Sequence, residues 1–370
     1  MVGSNNPAMG AALREQLIHS GIPCELRHVV SLDQLVDRVG LESPNVLLLD
    51  QPDSVQTSLQ LLQELSLVSD AHVIAIGPAH DPKRIISVMQ AGAQEYIDNA
   101  LWQSMLIESL ARIRTRNQTH ATDKNRSVGR VIGFLSASGG CGGSTAAINV
   151  ATVLAGHYGD AMLFDLRLQS GDLAAMLDLR PLFNLADLST NIGRLDDSLF
   201  NQILTQHSSG VHLLAAPQDY ASIDQVTLKG FRRALAMGMR KFPYIVLDVG
   251  DVNSQLHQEA ALRADVLVIM IRLDYPSIRN ARRHLEQLLM IGVPRGRIQF
   301  VVNRYGESSQ LSVGQAQDAI GCKLEFLLPD EPASVNWALN MGQPVVTAKP
   351  RARVSRRLIE LAESLNGKAP

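Results

Sequence analysis

The sequence predicts an α/β protein with two doubly wound parallel sheets in tandem. Three observations predict it. Two successive series of short apolar runs alternate with helix-length amphipathic stretches, a polar segment without periodicity separates the series, and a glycine-rich turn joins the first strand of the second series to a helix. At 370 residues the chain is too long for one ordinary domain and long enough for two cores.

The first series runs over residues 1–114. Its apolar runs are Cys24–Val29, Asn45–Asp50, His72–Gly77 and Glu95–Ile97, with a very short opening strand at Met1-Val2. Helical spacing occupies Met9–His19, Leu32–Val39, Ser58–Leu67, Ile85–Gln90 and Leu101–Ile113. Residues 115–129, TRNQTHATDKNRSVG, read as a linker. The second series, residues 130–370, places strands at Val131–Ser136, Ala161–Leu166, Val211–Ala216, Tyr244–Asp248, Val266–Arg272, Ile298–Asn303 and Lys323–Leu328.

A 46% apolar and 19% charged composition is that of a globular protein, and a net charge of −2 supplies no global field toward DNA or an acidic membrane. No specific nucleic-acid binding is expected. Cys24, Cys141 and Cys322 are odd in number and far apart, which fits a reducing compartment and argues against a disulfide framework or a paired-cysteine metal site. The histidines, His72 and His80 among them, show no metal-ligand spacing, and Trp102 and Trp337 read as helix packing residues. The opening residues lack a basic region followed by an apolar stretch, and the longest apolar run, Val266–Ile271, is far short of the roughly 20 residues of a membrane span. A cytoplasmic protein is expected.

The most informative stretch is Val131–Ala155, in which a β run leads into Gly139-Gly140-Cys141-Gly142-Gly143-Ser144-Thr145 and straight into a helix. Phosphate binding needs this arrangement, because glycines let backbone N–H groups converge and the helix start adds partial positive charge. The strict G-x-x-x-x-G-K-[ST] pattern is not met: Ala137 stands for the first glycine and Gly143 for the lysine. Taken alone, the turn also suits a plain tight connection. Other pieces point to a nucleotide. Tyr244–Asp248 is an apolar strand ending in an acid, as is Ala161–Asp165, followed by Gln169-Ser170-Gly171-Asp172; Val302-Asn303-Arg304 and Leu328-Pro329-Asp330 come later.

In order and spacing these motifs resemble the ParA/MinD family of dimeric P-loop ATPases over essentially all of residues 130–370. The resemblance implies a homodimer and assigns roles. Gly139, Gly140, Cys141, Gly142, Gly143, Ser144 and Thr145 form the phosphate loop, with Ser144 on Mg²⁺ and Thr145 at the α-phosphate. Asp172 lies in switch I, and Asp248 is the Walker B acid supporting the metal. Asn303, Arg304, Pro329 and Asp330 flank the adenine of ATP. The family's loop reads K-G-G-x-G-K-[ST]-[ST], so Ser138 replaces the lysine that reaches across the dimer and Gly143 the one that grips the β- and γ-phosphates. The second acid expected after the switch I strand is also missing, since Arg167 stands there. Fixed cations carry most of the stabilisation of a phosphoryl-transfer transition state, and removing one costs roughly 10³-fold in rate. ATP and Mg²⁺ are therefore expected as ligands with hydrolysis absent or slow, unless Arg167 or a partner's arginine substitutes.

The first domain resembles a response-regulator receiver, a flavodoxin-like fold, in Asn45–Asp50 followed by Gln51-Pro52 and in Ala91-Gly92-Ala93-Gln94-Glu95-Tyr96-Ile97. Receiver chemistry also needs an acidic pair, a hydroxyl residue after the fourth strand and a lysine after the fifth. Ser4, Asn5 and Asn6, Gly77, and Asp98-Asn99 occupy those places, so Asp50 reads as a remnant or cap and the domain as a docking or dimerisation module.

A degenerate receiver fused to a lysine-poor ParA/MinD-like domain resembles the TadZ/CpaE family. Val211–Pro217, Ala264–Ile269 and Pro276–Arg279 agree with it. The resemblance implies an ATP-binding scaffold at the cell pole whose partners are Tad (Flp) pilus secretion components at the inner face of the membrane. Two alternatives remain: an active ParA/MinD-type ATPase for partition or placement, and a phosphorylation-controlled receiver-output protein. The tail Arg351–Leu365 sets Val354, Leu358, Leu361 and Leu365 on one face behind Arg351, Arg353, Arg356 and Arg357, which suits a packed last helix or a basic membrane-surface helix.

Overall fold

In the computed structural model, which describes residues 1–42, 44, 46–69, 71–119 and 129–367, the chain forms two compact units, Met1–Asn125 and Arg126–Pro370.

The first unit holds five strands, β1 (Val2–Gly3), β2 (Val29–Val30), β3 (Val46–Asp50), β4 (His72–Gly77) and β5 (Glu95–Asp98), all parallel in the order β2-β1-β3-β4-β5. That order is flavodoxin-like. Residue alternation explains the two covered faces: Leu47 and Leu49 enter a core with Leu35, Leu62, Leu65 and Val88, while Leu48 faces the opposite core with Val2, Leu13, Ile74 and Leu106. One expected strand is corrected. Cys24–Val29 does not form a strand; Leu26–His28 makes a 3₁₀ turn capped by Glu25 and His28, and pairing starts at Val29. Glu25, Arg27 and His28 interrupt the apolar run, and their side chains favour the turn.

Among the described residues, the second unit holds eight strands: β6 (Arg130–Ser136), β7 (Ala161–Asp165), β8 (Thr205–Gln206), β9 (Val211–Leu214), β10 (Tyr244–Gly250), β11 (Val266–Ile271), β12 (Ile298–Tyr305) and β13 (Phe326–Pro329). Their order is β13-β12-β11-β6-β10-β7-β9-β8, parallel except for the antiparallel edge strand β8, which the periodicity did not predict. The central strands are mostly apolar, as burial on both faces requires, with acids only toward the C-terminal ends of β7 and β10, and Phe134, Phe164, Phe231 and Phe300 fill the core. Strand β13 starts at Phe326 rather than Lys323. The last helix, Arg353–Leu365, buries Val354, Leu358, Leu361 and Leu365, so its apolar stripe packs inside the unit. Trp102 packs against the first unit's core, whereas Trp337 is 45% exposed with Lys349 Nζ 4.1 Å above its ring. Among the described residues, no helix is long and apolar enough to cross a membrane.

Candidate functional site

Strand β6 is central in its sheet, and its C-terminal end delivers the glycine-rich loop to the start of the helix Gly143–Tyr158. Gly140 (φ +78°) and Gly142 (φ +90°) adopt left-handed conformations that side chains resist. A Cβ at Gly142 would meet Asn303 Nδ2 at 2.3 Å. The same Asn303 Nδ2 donates to the Cys141 carbonyl at 2.9 Å, tying the loop to β12. Cys141 is fully buried with its Sγ 3.4 Å from Ser277 Oγ, so it offers only backbone to a ligand.

Both lysine positions are occupied by other bonding. Gly143 N–H donates to Ser136 Oγ at 3.2 Å, and a Cβ at Gly143 would stand 2.4 Å from that hydroxyl. Ser138 Oγ accepts from Asn280 Nδ2 at 3.0 Å. The cation near the loop is instead Arg167, at the end of β7, whose Nη1 donates to Ser144 Oγ at 3.0 Å. Its stem lies along Gly250 (φ +78°), where a Cβ would come within 2.9 Å of Arg167 Cγ.

Below this cation lie two buried carboxylates. Asp165 and Asp248 face each other across the β7–β10 register, 1% and 2% exposed. Burial, reinforced by Asp248, pushes Asp165 up to about 7, against the pull of the Leu173 and Arg167 N–H groups. Burial likewise pushes Asp248 up to about 6, while the Ser144 hydroxyl and the Arg167 cation pull it down. One oxygen of Asp248, Oδ2, has no hydrogen-bond partner. A hydroxyl and an unpartnered carboxylate oxygen are hard donors that suit a cation such as Mg²⁺. The cation standing against Ser144 here is the guanidinium of Arg167, and Mg²⁺ needs its ligand oxygen at about 2.0–2.1 Å with that lone pair free.

Two adjoining cavities meet at the loop. The larger, about 1350 Å³, is lined by Ser138, Gly139, Gly140, Ser144, Arg167 and Asp172 among others. The smaller, about 190 Å³, is walled by Asn303, Arg304, Pro329 and Asp330 together with Gly140, Gly142 and Thr145. The sequence-predicted residues therefore line these two cavities, apart from Cys141 and Asp248, which are both buried and belong to neither lining. Asn303 is more occupied than expected, because its Oδ1 also accepts from Arg304 N–H at 2.9 Å, with Arg304 at φ +53°. Several lining residues escaped the sequence reading. His257 bridges the ends of two strands, Nδ1 to Asp251 Oδ1 at 3.0 Å and Nε2 to the Leu166 carbonyl at 2.8 Å. Burial lowers the His284 pKa, and its Nδ1 has no hydrogen-bond partner. No short motif marks either histidine.

In the first unit the residues at the corresponding positions are bonded to one another and to nearby backbone. Ser4 Oγ donates to Asp50 Oδ2 at 2.6 Å, Asn5 Oδ1 accepts from Leu32 N–H, and Asn6 caps the helix Pro7–His19. Burial raises the Asp50 pKa, opposed by the Ser4 bond. Asp98 accepts from Ala100 N–H, and a Cβ at Gly77 would meet the Tyr96 hydroxyl at 2.6 Å. Among the described residues, no group of three or more His, Cys, Asp or Glu side chains is placed to hold a metal.

Neither a protein-family profile nor a curated protein sequence matches the chain. Solved structures do match. The chain is similar to a ParA family ATPase from Chlorobium tepidum TLS (26% identity, 63% of this chain and 98% of that one, TM-score 0.60). It is also similar to the septum site-determining protein MinD of Pyrococcus horikoshii OT3 complexed with Mg-ADP (22%, 64% and 96%, TM-score 0.56). A third similar structure is a chain of the MinC:MinD cell division protein complex of Aquifex aeolicus (24%, 65% and 97%, TM-score 0.54). The share of this chain covered corresponds to the length of the second unit, which thus has the ParA/MinD-like ATPase fold.

Proposed function

We propose that this chain is an adenine-nucleotide-binding scaffold that hydrolyses ATP slowly or not at all. The observation that carries the reading is the phosphate loop: a glycine turn at a helix start, opening on two joined cavities, with both lysine positions given over to internal hydrogen bonds. Main-chain dipoles at the helix start hold phosphates in the ground state, whereas transition-state charge goes largely unanswered. The larger cavity takes the phosphates, with Asp172 at its rim, and the smaller takes the base between Asn303, Arg304, Pro329 and Asp330. Bound nucleotide favours a homodimer, as the resemblance to dimeric ATPases implies.

The wider role follows from the motif order and from the two-unit architecture, which resembles the TadZ/CpaE family. On this reading the first unit docks partners or a second copy, and the whole protein marks the cell pole for Tad (Flp) pilus secretion components. The recorded MinC:MinD complex supports partner binding by this fold.

Mass spectrometry of the purified protein for copurified nucleotide, beside ATP affinity and phosphate release on the same sample, tests the biochemical reading. Affinity without appreciable release is expected. Brisk turnover would favour a cycling partition ATPase, and no affinity would leave only a passive adaptor. Loss of pili and of polar fluorescence in a strain lacking the protein tests the cellular role.

A further inference from the structure

Resting on the nucleotide-binding reading above, we propose that Arg167 is a resident cation of the phosphate site, taking the place of Mg²⁺ so that ATP is bound without a metal. Three independent features converge on it. The guanidinium donates to the Ser144 hydroxyl at 3.0 Å, the oxygen a P-loop gives to its metal. The side chain has a built seat: Gly250 at φ +78° leaves room for its stem, where a Cβ would approach Cγ to 2.9 Å. Beneath it, Asp248 is 2% exposed and keeps one oxygen unpartnered, an acid placed to face a positive charge.

The electrostatics favour this occupant in the absence of a strong chelate. A guanidinium is always charged, carries five donors in a planar fork and matches phosphate oxygens bidentately, and it sheds water more readily than Mg²⁺ does. Mg²⁺ must strip its waters, displace Arg167 from Ser144 and then tolerate a second cation in the same cavity. The arginine at the place of the family's second switch I acid thus explains two departures at once. The site has lost its lysines because charge is supplied from β7, and it has lost an acid because no metal needs one there. The fixed guanidinium answers ground-state phosphate charge and leaves the attacking water without a metal, in keeping with slow hydrolysis.

Equilibrium binding of ATP to the full-length protein in Mg²⁺ and in EDTA decides the matter. Affinities within about threefold of each other are expected for the natural sequence, since the charge-assisted bonds come from the chain itself. Arg167→Ala should lose about tenfold or more of its affinity in EDTA, the usual worth of a hydrogen bond to a charged group, and Arg167→Asp should bind only when Mg²⁺ is supplied. Arg167→Lys keeps the charge without the fork and should fall between. If the natural protein loses ten- to a hundredfold of its affinity in EDTA, the resident-cation proposal is overturned while nucleotide binding stands. If it binds ATP in neither condition, both fall.

Discussion

The first unit lacks the one lysine, and the second both lysines, that their resemblances call for, and the structure answers the two departures in opposite ways. In the first unit the polar groups satisfy one another: Ser4 bonds Asp50 at 2.6 Å, Asn5 and Asn6 accept from backbone N–H groups, and Asp98 holds Ala100 N–H. In the second unit the cavity stays open at about 1350 Å³, and a cation from the loop after β7, two strands away from β6, stands 3.0 Å from Ser144. A missing catalytic residue therefore says little by itself. What matters is whether the polar atoms it leaves behind have satisfied one another or still face a space that a charged ligand can fill.

The largest effect should come from reversing the second unit's substitutions. Gly143→Lys restores an ammonium, Ser136→Gly removes the hydroxyl 2.4 Å from its Cβ, and Arg167→Asp returns the acid. The triple variant should raise Mg²⁺-dependent phosphate release by about 10²- to 10³-fold, the usual worth of fixed cations in phosphoryl transfer. Unchanged release in a variant that still binds ATP would show that the lysines are not what limits turnover. The next effect concerns the loop's shape. Gly142→Ala forces a Cβ into φ +90° and to 2.3 Å from Asn303 Nδ2. Strain of about 1–3 kcal/mol in the binding conformation corresponds to about five- to 150-fold in ATP affinity. An affinity within twofold of the parent protein would mean that the loop rearranges to bind, and that the cavity described here is not the bound form.

The contrast between the units was only partly legible in the sequence. Strand β6, the glycine turn and Asp248 were readable because apolar runs of strand length and the residue types at phosphate loops are local signals. Strand β8 was not, since Thr205–Gln206 are two polar residues held at the edge by pairing alone. The run Cys24–Val29 misled because its apolar residues hid Glu25 and His28, whose side chains cap a turn. Asp165 was readable as an acid ending a strand; its register opposite Asp248 appears only when β7 lies beside β10. Arg167 was visible as a departure from a pattern, but its seat depends on the backbone of Gly250, more than eighty positions away. Long-range geometry of this kind leaves no mark in periodicity.

That register gives the third effect, a dependence on pH. Asp165 and Asp248 titrate in the folded protein near about 7 and about 6, above the ordinary 3.8. Between the unfolded and folded values the native state holds more protons than the unfolded one, so stability contributed by these groups falls as pH rises from about 4 to about 7. Asp165→Asn removes one titration and keeps an acceptor for one of the two amides, Leu173 and Arg167, that bond separate carboxylate oxygens. Measured without nucleotide and in EDTA, the variant's melting temperature should gain on the parent's by a few degrees between about pH 5 and pH 8. A difference that stays constant with pH would show that the two acids are not desolvated together in solution.

The smallest effect, and the sharpest check on the other side of the comparison, is expected at Asp50. Phosphoryl transfer to a carboxylate needs an ionised oxygen free to attack and a cation to neutralise the incoming group. Asp50 has an oxygen bonded to Ser4 at 2.6 Å, burial raises its pKa, and Asp98 stands where the receiver resemblance calls for a lysine. Incubation with acetyl phosphate and Mg²⁺ should therefore leave no acid-stable, base-labile phosphate on this unit, and Asp50→Asn should change its stability by only about 1 kcal/mol, the usual worth of one partly exposed hydrogen bond. Stoichiometric labelling that Asp50→Asn abolishes would mean that the Ser4 bond opens readily, and the two units would then differ in degree rather than in kind.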